Sequence, residues 1–448
     1  MEREELNAIT IENELRWLQD VINYRFNSYF EKPNNHDFIH EIVAPNLESD
    51  YSIYSGFIKE SKLDFPARLA LILSLSPHIR PQVLDPFFVK NSDFNRGFTE
   101  FGGFKGEHHC GFIPTGETFA FLYSGLDIGM RMESMRIFDT NHHFHKMKVL
   151  TIGGTKEHEP YLSGSLILTI DYIDLLTLGE IKKPTFSSNF PATLVETSAN
   201  WEDLVLDRKT RVTVDHMLAW INNSETILHD WDMKNKIKPG YRALFHGPPG
   251  TGKTLTASLL GKSTGKDVYK IDVSMISSKW VGETEKNLAR IFDTAETKDW
   301  ILFFDEADSI FGKRTSSGGS NEKQSNQEIS YLLQRTEEYP GIVILASNLM
   351  GNIDEAFIRR FQSMINFKIP TWNERLRLWK KAFEGSLFLD EGVDLKAIAK
   401  EYEIAGGAIV NILKFCSIKA VQRGDKRIIE KDIVEGVKYE LMKEGKVH

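Results

Sequence analysis

Gly247 to Thr254, GPPGTGKT, matches the spacing G-x-x-x-x-G-K-[ST], and each residue type in it has a use in holding a polyphosphate. The glycines let backbone N–H groups close around phosphate oxygens. Lys253 is long enough to reach the β and γ phosphates, and the Thr254 hydroxyl is a ligand for Mg2+. The candidate nucleotide contacts are Gly247, Pro248, Pro249, Gly250, Thr251, Gly252, Lys253, Thr254 and Leu255. A second run, Ile301-Leu302-Phe303-Phe304-Asp305-Glu306, ends an apolar stretch on two carboxylates. Asp305 is the candidate Mg2+ ligand, acting through water, and Glu306 the candidate general base for the attacking water. Asn348 follows another apolar run, Ile342–Ala346, where it can hydrogen-bond a γ-phosphate or the lytic water, although an asparagine at a strand end is as a rule a turn residue. Arg359 and Arg360 stand side by side. Surface ion pairs are the plain explanation; the functional one is an arginine donated to a neighbouring subunit's nucleotide, a group worth roughly 10³–10⁵ in rate. Lys279, Trp280, Val281 and Gly282 set an aromatic beside a glycine in a charged segment, which argues against burial of the indole.

These residues need elements that bring them together. Arg242–Phe245 predicts a buried strand before the glycine-rich loop, and Lys253 to Gly261 a helix after it, whose N-terminus adds partial positive charge to an anion site. Further strands are expected at Val268–Ile271, Ile301–Phe304, Ile342–Ala346 and Met364–Phe367, with helices between. That alternation implies an α/β fold, a parallel sheet covered on both faces, with Asp305 and Glu306 at a strand's C-terminal end, where ligands bind. After Pro370 the pattern is helical: Asn373–Phe383, Ala408–Gln422 and Glu430–Lys443. Upstream, Asn7–Phe30, Phe65–Pro77 and Pro81–Lys90 read as helices, Met147–Ile152 and Ser165–Ile170 as strands, and Asp171–Leu178 as a short helix. Residues 182–191 carry two prolines and little periodicity. The expected organisation is an N-terminal α+β or mainly helical domain over 1–183, a linker over 184–200, a large α/β domain over 201–370 and a helical lid over 371–448.

Composition narrows the function classes. The chain has 448 residues, of which 41% are hydrophobic and 26% charged, as in ordinary globular proteins, and a formal net charge of −8 that speaks against a general grip on nucleic acid. Its two cysteines, Cys110 and Cys416, form neither a metal spacing nor a disulfide framework, so a reducing compartment, the cytoplasm, is expected. The charged N-terminus does not read as a secretory signal, and the apolar run Leu69–Leu75 is too short to span a bilayer. Histidines cluster at His108-His109 and His142-His143 with His145, but their spacing matches no zinc pattern, and H-E-x-x-H is absent.

Taken in order, GPPGTGKT, SKWVGETEKN, ILFFDEAD, ILASN and RRF resemble the motifs of an AAA ATPase, from Trp201 to Lys443. The resemblance implies a P-loop domain with a helical lid, ATP and Mg2+ as cofactors, and a homo-oligomeric ring, usually a hexamer, with nucleotide between subunits. It implies Glu306 as catalytic base, Asn348 as sensor 1, Arg359 and Arg360 as fingers, and Trp280-Val281 as the pore-loop pair gripping a protein substrate. It also implies that Leu204 and Val205 pack on adenine and that Gly407 and Ala408 stand where a sensor-2 arginine is lacking. The finger pair departs from the usual spacing by Pro-Gly, and the pore aromatic is Trp rather than Tyr or Phe. A narrower resemblance, carried by WEDLVL, KPGYRALFHGPPGTGKTLTA and WILFFDEADSIFGKRT and by the N-terminal FTEFGG and GFIPTGET, is to ATPases encoded with extracellular contractile injection systems. It implies ATP-driven help in assembling or loading such a particle. A non-threading assembly switch and a nucleotide-binding scaffold stand as alternatives.

Overall fold

Runs such as Ile342–Ser347, apolar at nearly every position, are stable as strands only where both faces of a sheet are covered. The computed structural model of the chain describes residues 3–30, 39–155, 158–187, 190–272, 283–307, 330–348, 358–385, 388–443 and 445. It divides into two units, Met1–Lys183 and Pro184–His448.

The first unit is mainly helical. Its helices are α1 (Arg3–Phe30), α2 (Ile53–Glu60), α3 (Phe65–Ile79), α4 (Gly116–Ser124), α5 (Ile128–Ser134), α6 (His143–Lys146) and α7 (Ile170–Leu178). Three small antiparallel pairs accompany them: β1 (Lys90–Asn91) with β2 (Arg96–Gly97), β3 (Phe104–Lys105) with β4 (Phe112–Ile113), and β5 (Leu150–Gly153) with β6 (Ser165–Leu168). The long helix α1 presents Leu15, Leu18, Val21 and Ile22 to a core shared with α3 and α4. Asn7 ties this helix to two others, donating to Leu176 O (2.8 Å) and accepting from Tyr54 N (2.9 Å). Glu14, fully buried on α1, is paired with Arg68 of α3, which also donates to Pro45 O (2.8 Å). Burial is the largest influence on that carboxyl and raises it above the usual range despite the arginine.

The second unit is built on a six-stranded sheet: β7 (Ala192–Leu194), β8 (Tyr241–His246), β9 (Val268–Asp272), β10 (Ile301–Asp305), β11 (Ile342–Ser347) and β12 (Ser363–Asn366), in the order β12-β8-β11-β10-β9-β7. Five strands are parallel, as the βα alternation predicts, and β7 is antiparallel to β9. Side chains alternate between two cores. Ile301, Phe303, Ile342 and Ile344 pack with Val214 and Met217 of α8 (Arg208–Glu225) and with Ala257 and Leu260 of α9 (Lys253–Thr264). Leu302, Phe304, Val343 and Leu345 pack on the other face with Leu288, Ile291 and Phe292 of helix Glu283–Lys298 and with Leu332 and Leu333 of helix 330–338.

Two sequence expectations are corrected here. Residues 184–200 are not only a linker, because Ala192–Leu194 forms the sheet's antiparallel edge. Three residues are too few to show a period, and Pro191 beside them suggests a break although an edge strand tolerates proline. The lid also has an additional helix, Leu395–Glu401, whose seven residues are started by the Asp394 carboxylate accepting from Lys396 N and Ala397 N. It packs with helices Trp372–Ala382, Gly406–Arg423 and Glu430–Lys443 around Trp379, Ile409, Ile412, Cys416, Ile433 and Val437. Among the described residues no helix is long and apolar enough to cross a membrane, and no group of three or more His, Cys, Asp or Glu is placed to hold a metal ion.

Candidate functional site

The strand order decides which loops meet. Because β11 lies between β8 and β10, its C-terminal end joins the loops that leave its two neighbours: Gly247 N donates to Ser347 O (3.2 Å), and Ala307 N donates to Ala346 O (2.9 Å). Asn348 is thereby seated between the glycine-rich loop and the Asp305-Glu306 pair. All three line one cavity of about 630 Å³ with Pro249–Leu255.

The glycine-rich loop has the backbone its sequence implies. Gly247 has φ +138°, and a Cβ there would lie 2.0 Å from Phe367 O. Gly252, at φ +102°, is the N-cap of α9, so the first N–H groups of that helix face the cavity side of the loop. Lys253 opens α9, and its buried ammonium donates to Gly247 O (2.7 Å), Pro248 O (3.0 Å) and Asn348 Oδ1 (2.9 Å). A lysine held by three acceptors is confined to a narrow range of positions above the loop. The neighbouring imidazole of His246 is held below its usual range, first by burial and then by the Lys253 charge.

The carboxylate side is equally specific. Asp305 accepts from Glu306 N at Oδ1 (3.0 Å) and is paired through Oδ2 with the Lys270 ammonium (2.6 Å). Glu306 has φ +54°, a left-handed backbone that a non-glycine residue adopts at a cost of about 1–3 kcal/mol and that is concentrated at functional positions. The donor set, the Thr254 hydroxyl after a loop whose backbone a Cβ would obstruct and the carboxylates of Asp305 and Glu306 at the end of β10, is of the hard-oxygen kind suited to Mg2+ with a phosphate chain.

The side of the cavity away from the carboxylates is lined by Leu204, Val205 and Leu206 and, from the lid, by Gly406, Gly407 and Val410. Leu204 and Val205 are buried. Gly407 N donates to Gly250 O (2.9 Å), and a Cβ on Gly407 would stand 3.0 Å from Gly250 Cα, so the lid meets the loop through backbone. A second link ties the lid to the segment before Leu204, from Lys381 Nζ to Asp203 Oδ1 (2.9 Å). Ala408, expected beside the nucleotide, instead packs into the lid core, because one helical step beyond Gly407 turns its methyl to the other face. Gly247 and Pro248 contribute carbonyls to Lys253 rather than cavity wall.

The two arginines part company. Arg360 is paired with Glu337 (2.5 Å), whereas Arg359 is exposed and has no partner among the described residues. Neither lines the cavity of its own chain. Lys279, Trp280, Val281 and Gly282 lie outside the described residues. Sequence reasoning missed Lys270, Val410 and Lys381. Val410 and Lys381 sit on lid helices that carry no chemical motif, and Lys270 approaches Asp305 only through the parallel register of β9 with β10.

Comparison with known proteins agrees with this geometry. Residues 243–369 match the model of the "ATPase family associated with various cellular activities (AAA)". Cell division protein C of Sulfolobus acidocaldarius is 35% identical over 144 residues, 30% of this chain and 38% of that protein. The proteasome-activating nucleotidase of Aeropyrum pernix is 32% identical over 220 residues, 47% of this chain and 54% of that protein. The peroxisomal ATPase PEX6 of Kluyveromyces lactis is 28% identical over 245 residues, 52% of this chain and 24% of that protein. The matched stretches span from about a quarter to about half of these relatives' own lengths. With a parallel sheet ordered around the glycine-rich loop and this family model across residues 243–369, that stretch of the chain carries an AAA domain.

Proposed function

We propose that the protein is an Mg2+-dependent ATP hydrolase that assembles as a ring, a hexamer by resemblance, and remodels or threads a protein substrate. The observation that carries the hydrolytic part is the convergence of Lys253, Asn348, Asp305 and Glu306 on one cavity between the large domain and the lid. Thr254 and Asp305 would hold Mg2+, which supplies charge neutralisation at the β and γ phosphates when bound. Lys253 binds the same phosphates and moves to them from the carbonyls of Gly247 and Pro248. Asn348 orients the lytic water, and the Glu306 carboxylate takes its proton as the water oxygen attacks phosphorus. Arg359 is the better candidate for the arginine reaching a neighbour's site, since Arg360 is engaged with Glu337 in its own chain. The mainly helical first unit is assigned to partner recognition. By resemblance the work done is assembly or cargo loading of a contractile injection particle, with Trp280 gripping the translocated chain.

The decisive variant is Glu306→Gln, which is expected to keep ATP binding while turnover falls by at least about a hundredfold, the usual lower range for loss of a general base. Near-normal hydrolysis would refute the assignment. Mixing Arg359→Ala with Glu306→Gln protein tests the ring: activity regained in the mixture supports an arginine acting between subunits, and no recovery in a mixture shown to co-assemble argues against it.

A further inference from the structure

Lys270 is a charged side chain beside the candidate Mg2+ ligand Asp305 to which the proposed chemistry gives no role. It projects from the middle of β9 and its ammonium lies 2.6 Å from Asp305 Oδ2. The parallel register sets Lys270 beside Phe303 and Asp272 beside Asp305, so all four side chains leave the same face of the sheet. Two carboxylates on directly adjacent strand positions repel each other, and Glu306 follows at the next residue. The Lys270 ammonium, paired with Asp305, offsets part of that repulsion. It also has a consequence for a cation. The same ammonium occupies the oxygen of the carboxylate that would serve Mg2+, while Oδ1 already accepts from Glu306 N. The pair is partly open to solvent, with side-chain exposures of 38% and 21%, so the contact can be exchanged rather than being locked in the core.

We infer that Lys270 is a positioning residue that sets how tightly the site holds its divalent cation, by competing with the metal for Asp305. This inference rests on the nucleotide-site reading proposed above. Metal that used Asp305 would do so at the expense of the Lys270 pair, which would lower its affinity and ease its departure with the product nucleoside diphosphate. Replacing the lysine by a neutral side chain of similar length leaves Asp272, Asp305 and Glu306 with one positive charge fewer, and the site must bind a divalent cation more tightly.

The test uses the full chain and a fluorescent, non-hydrolysable ATP analogue, with dissociation constants measured in excess Mg2+ and in EDTA. Their ratio reports the metal's contribution without reference to turnover. In Lys270→Met the ratio is expected to rise about threefold to tenfold over the unsubstituted chain, the effect of one partly screened charge on a divalent ion. Lys270→Arg should restore the original ratio, and Lys270→Met should have no effect when Asp305→Asn is already present. A purely structural lysine would instead lower the melting temperature with the ratio unchanged. An unchanged or smaller ratio in Lys270→Met, or an increase that persists with Asp305→Asn, overturns this inference alone. Absence of metal-dependent nucleotide binding by the unsubstituted chain overturns it together with the site reading.

Discussion

Gly247→Ala tests whether the cradle is shaped by backbone alone. The native φ of +138° lies where an L residue is strained, at about 1–3 kcal/mol. The added methyl would also stand 2.0 Å from Phe367 O, and Cβ contacts essentially never fall below 3.0 Å, so the two backbones must part by about 1 Å. They are not free to do so, because Gly247 N is bonded to Ser347 O and Phe367 N to His246 O (2.7 Å), which pins the loop to β11 on one side and to the end of β12 on the other. Such overpacking costs a further ~1–3 kcal/mol, so the sum is about 2–6 kcal/mol against a typical domain stability of about 5–15 kcal/mol. Urea unfolding followed by tryptophan fluorescence is suited to the measurement, since of the eight tryptophans only Trp17 precedes Pro184 and the signal reports mainly the second unit. Gly265→Ala is the control: its φ is +69° but nothing lies within 4 Å of the added carbon, so it carries backbone strain without the clash. A Gly247→Ala shift no larger than that of Gly265→Ala would refute the argument from close approach.

Two further predictions concern the supports of the site. Arg242, buried at the start of the P-loop strand, donates to Thr336 O (2.8 Å) and to Glu337 O at the end of helix 330–338. Arg242→Met should cost ~2–4 kcal/mol by leaving those carbonyls without their charged donor, and a shift below about 1 kcal/mol in the same urea assay would show that solvent replaces it. His246, held below its ordinary value of 6.5 by burial and by Lys253, stays neutral in the fold while the unfolded chain takes up its proton first. Its contribution to stability is therefore complete above the unfolded value and lost as pH falls through 6.5 toward the lower folded value. His246→Gln should flatten the dependence of second-unit stability on pH as pH falls below the ordinary imidazole value of 6.5. An unaltered slope would assign it to other groups; His78 and His142, lowered chiefly by burial, belong to the first unit and contribute little to the tryptophan signal.

Much of this molecule is written locally. The five parallel strands could be read from short continuous apolar runs, and the glycine-rich loop, the Asp305-Glu306 pair and Asn348 from residue types at strand ends, because those signals depend only on neighbours in the chain. Elements of three and seven residues, β7 and helix Leu395–Glu401, were invisible for the same reason: they are shorter than the stretches over which the period of a strand or a helix can be recognised. Facing directions within a helix were also beyond a linear reading, and Ala408 turned to the lid core while Gly407 met the loop.

The sequence by itself therefore determined which groups have the chemistry for a nucleotide and which segments carry them. The tertiary structure decided their arrangement: β11 lies between the P-loop strand and the acidic strand, Lys253 turns to Asn348, Arg360 is engaged by Glu337 while Arg359 is left exposed, and Lys270 is brought to Asp305. The physical reason is that strand order and register arise from burying two opposite faces of one sheet at once, a condition on the whole domain that no single stretch of chain contains.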